Sequence, residues 1–216
     1  MTIGALLTIS FHNSYSPELP AFLGLNILSK RLPMQSVHKV YCVDWASSRS
    51  PVFSRVIETL SAGDLLVASA SPKIKALPSD LSQPELGLGE AVIYELRHKL
   101  TKVIHGAWAV NFNIGARTFE QQHIRVCSTL STCVSRRANK LAQLYFCSSI
   151  SAAAGMSLPT HIDEGLIPEL LRVQNMGYPR SKLVAENIVQ VAAEKTGIVA
   201  KVLRMGQIVG DTVTGR

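Results

Sequence analysis

The chain has 216 residues, 47% of them hydrophobic and 17% charged, with a net charge of +7. That length and apolar content suit one globular domain with a sizeable core and exclude a disordered chain. No apolar run reaches the ~18 residues of a membrane span. The basic residues are scattered rather than interleaved with aromatics, which excludes a single-strand nucleic-acid surface. The expectation is a cytoplasmic protein with neither membrane nor nucleic acid as partner.

In chain order, residues 1–10 are the only apolar stretch that can supply a first strand, and the Ser/Pro/Asn-rich residues 12–20 read as a loop. Residues 23–32 carry apolar side chains at helical spacing, and residues 37–43 form a β-rich run. Residues 54–60 read as a helix. Residues 74–77 read as a strand stopped by Pro78. Helix 90–100 is followed by a buried strand at 102–105. One long helix is expected over 118–135, then a strand at 143–147 that ends in Ser148 and Ser149. Residues 178–196 form the strongest helix, rich in Ala, Val, Leu and Glu, and Gly197 stops it. A last strand spans 198–203. Strands alternating with helices predict a parallel sheet covered on both faces, an α/β Rossmann-like doubly wound fold in three layers. The four cysteines, Cys42, Cys127, Cys133 and Cys147, lack the spacing of a metal site and read as buried free thiols.

Chemistry concentrates at Tyr178-Pro-Arg-Ser-Lys182. Residues four apart lie on one face of a helix, one turn from each other. A phenol loses its proton only near pH 10. An ammonium beside it favours the phenolate and lowers that value. The pair can then give a proton to a carbonyl oxygen. Upstream, Tyr145-Phe-Cys-Ser-Ser149 is a strand ending in hydroxyls that can hydrogen-bond a substrate oxygen. The plainer alternatives are a surface tyrosine with a solvated lysine and a strand-end turn. His105 and His123 read as structural histidines, and Trp108 as core.

These stretches resemble a known family. Together with Ala76-Leu-Pro-Ser-Asp80, Val103-Ile-His-Gly-Ala107-Trp-Ala-Val-Asn, Asn175-Met-Gly-Tyr178 and Leu203-Arg-Met-Gly206-Gln207, they are similar, in order, to extended short-chain dehydrogenase/reductase (SDR) thioester reductase domains. Such male-sterility-type, NAD-binding domains occur in fungal NRPS-like enzymes and carboxylate reductases. The resemblance covers most of residues 22–211. It implies a Rossmann-like oxidoreductase that uses NADP or NAD to reduce an acyl thioester, held on a phosphopantetheinyl carrier protein, to an aldehyde or alcohol. It implies Tyr178 as proton donor and Lys182 as its partner and ribose ligand. Ser149, or else Ser148, would hold the carbonyl. Gly24 belongs to the glycine-rich turn, Asp80 would meet the adenine, Ala107 would pack along the cofactor, and Gly206 and Gln207 would lie near the nicotinamide.

The sequence departs from that family at defined places. The glycine-rich turn aligns with Glu18, Ala21 and Gly24, so one glycine of three is present. Asp44 and Trp45 follow the second strand, where an acidic side chain suits the free ribose of NAD, while Arg49 lies within reach of a 2′-phosphate. The expectation is a single NAD(P)-binding domain over 1–216, with an irregular N-terminus at 1–21 and a substrate lobe largely absent at the C-terminus. Exposed apolar surface there would favour self-association. The alternative is a truncated or decayed fragment acting as a non-catalytic nucleotide-binding or interaction module.

Overall fold

A computed structural model describes residues 5–9, 19–45, 48–63, 65, 68–135, 142–155, 161–167 and 172–207. Six strands form one parallel sheet: β1 (Ala5–Ile9), β2 (Lys39–Trp45), β3 (Ile74–Ser79), β4 (Lys102–His105), β5 (Gln143–Ser149) and β6 (Val199–Met205). Their order is β3-β2-β1-β4-β5-β6, so the chain runs outward from β1 in both directions. The reversal of direction lies between β1 and β4. In such sheets a crevice forms there, at the carboxyl ends of the strands, and ligands bind in it.

Two apolar layers cover the sheet, and strand alternation divides the residues between them. On one face α1 (Leu19–Arg31) and α2 (Arg49–Ala62) bury Leu28, Val56 and Leu60 against Val40 and Cys42. On the other, α3 (Glu90–Lys99), α4 (Arg125–Ser135) and α5 (Gly177–Thr196) bury Leu96, Leu130 and Val189 against Tyr41, Val43 and Phe146. Strand β2 is covered on both faces, hence its unbroken run of buried side chains from Val40 to Asp44. All four cysteines are free and buried, as expected, and burial pushes the Cys42 thiol up to about 12.

Four expectations need correction. Within the N-terminus expected to be irregular, Ala5–Ile9 is a strand in the middle of the sheet, paired with β2 and β4. Leu19 and Pro20 belong to α1 rather than to the loop before it. Proline is well placed in a first helical turn, where its missing N–H has no partner to lose. The remainder of that loop, with Glu18, lies outside the described residues. Strand β3 runs on through Pro78 to Ser79. It is an edge strand, so a missing N–H costs no ladder bond on its free side.

The fourth correction bears on the site. The long helix expected over 118–135 is broken into a 3₁₀ turn (Ala116–Phe119), a π turn (Glu120–Ile124) and α4. Phe119, at the end of the 3₁₀ turn, and His123, in the π turn, both meet Trp108, with ring centroids 6.3 and 5.2 Å away. Among the described residues no helix is long and apolar enough to cross a membrane.

Candidate active site

Helix α5 meets the carboxyl end of β5 at one point, and a glycine permits it. A Cβ at Gly177 would stand 1.9 Å from the Ile114 carbonyl oxygen and 2.7 Å from the Ala116 nitrogen. Only a residue without a side chain lets the helix start that close to the 114–116 backbone. Tyr178 therefore enters on the first turn. It is 7% exposed, with Phe112 at 4.8 Å and Phe119 edge-on at 6.3 Å between ring centroids.

The two serines that end β5 have separate partners. The Ser149 hydroxyl hydrogen-bonds the Tyr178 side chain. It also accepts from the Ser151 amide at 3.2 Å and the Ser151 hydroxyl at 2.9 Å. Ser148 is buried and donates to the Glu186 carboxylate on α5. That carboxylate takes a forked contact from Arg204 of β6, at 2.7 Å from Nη2 and 3.2 and 3.1 Å from Nε. Arg204 also donates to the Gly165 carbonyl at 2.9 Å. Both partners stand on α5, so the end of β5 meets that helix twice: Ser149 at Tyr178 in the first turn, and Ser148 at Glu186, which anchors the sheet to the helix.

Tyr178, Lys182 and Glu186 form a buried stripe at four-residue spacing on α5. The Lys182 amine donates to the Cys147 carbonyl oxygen at 2.7 Å. It stands 4.4 Å from the Trp108 ring centroid, 5.0 Å from Phe146 and 5.7 Å from Tyr178. Burial drives its pKa from 10.5 down to about 7. This reverses the tuning expected from the sequence. Burial raises Tyr178 above its ordinary value, and the Ser149 hydrogen bond opposes the rise. An amine that is itself half discharged near neutrality is a weak source of positive potential.

Around this stripe the histidines are neutral. Burial, then the Lys182 charge, pushes His105 down to about 3, and the same causes hold His123 near 4. Both ring nitrogens of His105 are buried without a hydrogen-bond partner among the described residues.

The expected cofactor residues spread along the same sheet edge. Ala107 is buried just beyond β4, and Gly206 and Gln207 are exposed just beyond β6. Asp80 follows β3, and its Oδ1 accepts from the Ser82 amide at 2.9 Å and the Ser82 hydroxyl at 2.6 Å. Those bonds hold its carboxyl below the usual range. Asp80 thus caps the turn that follows β3. Gly24 lies within α1, past its first turn, and the turn that precedes this helix is outside the described residues.

Asp44 is not the open acceptor the sequence suggested. It is 1% exposed, and Arg55 of α2 reaches its Oδ2 at 2.9 Å from both Nε and Nη2. Arg55 sits two turns into the helix, and no sequence signal linked it to Asp44. Glu186 and Arg204 were also missed, although Arg204 stands in a stretch that carries the resemblance. A buried charge needs a partner of opposite sign, and that rule pairs them once the helix is known to lie on β5 and β6.

Comparison with known proteins agrees with this fold. The NAD_binding_4 family model, described as male sterility protein, matches residues 20–216. A carboxylic acid reductase of Neurospora crassa is 34% identical over 187 residues, covering 80% of this chain and 17% of that protein. An adenylate-forming reductase of Heterobasidion annosum is 30% identical over 190 residues, covering 87% of this chain and 17% of its own length. Among solved structures, the terminal R domain of the myxalamid PKS-NRPS pathway superposes with a TM-score of 0.85 at 20% identity, over 100% of this chain and 52% of that one. The chain therefore spans less than a fifth of these two relatives and about half of that R domain. The match over nearly its whole length establishes that the chain belongs to the male sterility protein family of NAD-binding domains.

Proposed function

We propose that the chain carries the nucleotide-binding half of a reductase that converts a carrier-bound acyl thioester to an aldehyde, or onward to an alcohol. The observation that carries this reading is Tyr178 hydrogen-bonded to Ser149 at the carboxyl edge of a parallel sheet, beside the topological switch point. Its support from relatives is the pair of reductases above and an archaeal thiolation-reductase di-domain of the same fold.

The residues fit a nicotinamide dinucleotide. Tyr178 and Lys182 would meet the nicotinamide ribose, Ala107, Gly206 and Gln207 the nicotinamide end, and Asp80 the adenine end. Gly24 would stand below the pyrophosphate in α1. When bound, such a cofactor supplies the hydride. The chain's own residues do the rest. Ser149 and Tyr178 hold the thioester carbonyl oxygen between two hydroxyls, and Tyr178 gives that oxygen its proton as negative charge develops there. Burial suits Tyr178 to this task, because it keeps the phenol protonated until an oxyanion forms beside it. Lys182 can then return a proton to Tyr178. The Asp44–Arg55 pair cancels charge at the end of β2. Arg49, exposed at the start of α2, is left to favour a 2′-phosphate, hence NADPH over NADH. A cleft of about 910 Å³ beside Ser149, lined by Ile150, Ala153, Leu166 and Met205, offers an apolar wall to the acyl group.

The test is a titration of the purified chain with NADPH and NADH, read by nicotinamide fluorescence, then turnover of an acyl-pantetheine thioester. Tyr178→Phe keeps the ring packing on Phe112 and Phe119. It should bind cofactor normally and lower kcat by roughly 10²- to 10⁴-fold. No binding of either cofactor by the folded chain, or full turnover by Tyr178→Phe, would overturn the reading.

A further inference from the structure

Among the described residues Lys182 is the one buried lysine, and its surroundings are aromatic. Apolar surroundings discharge an ammonium, but a ring face attracts one, and indole does so most strongly. Trp108 makes the closest ring contact, 4.4 Å from Nζ to the centroid. Its orientation is fixed by hydrogen bonds as well as by packing. The Ser181 hydroxyl donates to the Tyr178 carbonyl oxygen at 2.7 Å. With its single hydrogen committed there, the same oxygen accepts from the indole Nε1 at 3.1 Å. The plane of the ring is thus tied to the helical turn that carries both Tyr178 and Lys182. His123 stacks on the indole at 5.2 Å with 28° between planes.

We propose that Trp108 is a positioning residue for Lys182: its indole face, oriented through Ser181, holds the amine between the Cys147 carbonyl and the Tyr178 ring and favours its charged form. The groups around the amine come from every packed element. They are His105 from β4, Cys147 from β5, His123 from the π turn, Cys127 from α4 and Glu186 from α5 itself. Burial leaves His105 and His123 neutral and pushes Cys127 to about 12, so none of those three exchanges a proton near pH 7. The importance of the contact for turnover rests on the proposed reductase function. The contact itself does not.

The experiment follows the ¹³Cε resonance of Lys182 against pH in the full chain labelled at lysine, the peak being assigned by its loss in Lys182→Met. The expected midpoint lies near 7. Trp108→Leu should lower it by about one pH unit, a tenfold fall in the ratio of charged to neutral amine. Trp108→Phe, which keeps a ring, should restore most of that. Ser181→Ala, which frees the indole without removing it, should fall between. A midpoint unchanged in folded Trp108→Leu overturns the proposal. Should that variant fail to fold, an unchanged midpoint in Ser181→Ala overturns it instead. Because the readout needs neither cofactor nor thioester, failure of the reductase reading leaves this result standing.

Discussion

Replacing Lys182 with methionine should make the protein more stable in acid, with the gain falling away as pH rises toward 10. In the unfolded chain the amine keeps its ordinary pKa of 10.5, whereas burial lowers it to about 7 in the fold. Folding is therefore penalised wherever the unfolded amine is charged. The penalty is complete below about pH 7, shrinks as pH rises from 7 to 10.5, and is gone above that range. A displacement of this size corresponds to roughly 5 kcal/mol. Methionine fills a similar volume without a charge, but it leaves the Cys147 carbonyl oxygen without its amine donor, a loss of about 1–3 kcal/mol. The net gain is roughly 2–4 kcal/mol below pH 7, or about 5–10 °C in Tm for a domain of this size. Thermal melts of the two proteins at pH 6, 8 and 10 by circular dichroism provide the assay. A Met variant that melts at or below the parent at pH 6, or a gap that stays constant up to pH 10, would refute the reasoning. A charged group kept at such expense is characteristic of sites where function is traded against stability.

The other two perturbations act on the frame rather than on the amine. Gly177→Ala puts a Cβ inside contact distance of backbone at Ile114 and Ala116. Helix α5 must then shift at its first turn, at a cost of at least ~1–3 kcal/mol, visible as a lower urea midpoint; an unchanged midpoint would show that the helix starts elsewhere. Glu186→Ala strips Arg204, itself only 18% exposed, of its carboxylate and leaves Ser148 without an acceptor. A loss of roughly 3–5 kcal/mol in chemical denaturation is expected, and a loss under about 1 kcal/mol, typical of surface pairs, would mean the contact is solvated.

Most of the fold was legible because its signals are local. The alternation of apolar runs with amphipathic segments located five of the six strands and three of the five helices to within a few residues. It failed where the deciding interaction lies elsewhere in the chain. The proline in β3 reads as a stop, and only the strand's place at the sheet edge makes it harmless. The break before α4 has no Gly or Pro to mark it. Around it Phe119 and His123 both pack on Trp108, a long-range contact that no local pattern shows.

The site shows the same division at the scale of single charges. Tyr178 and Lys182 are four apart on one helix, so their shared face follows from the sequence alone. What sets their protonation does not, because burial is a property of the assembled layers. From the sequence an ammonium beside a phenol should lower the phenol; in the fold both groups lose solvent and each is driven toward its neutral form. The reversal has a consequence for the chemistry. A phenol held protonated by burial is a competent donor to an oxyanion at neutral pH, and an amine near 7 can refill it without a large free-energy step. Asp44 follows the same rule from the other side: a carboxylate at a strand end looks available until α2 folds back and delivers Arg55 to it. Where two buried groups can neutralise each other, either by pairing or by discharging, the fold decides between those outcomes, and it pairs Asp44 and Glu186 while discharging Lys182.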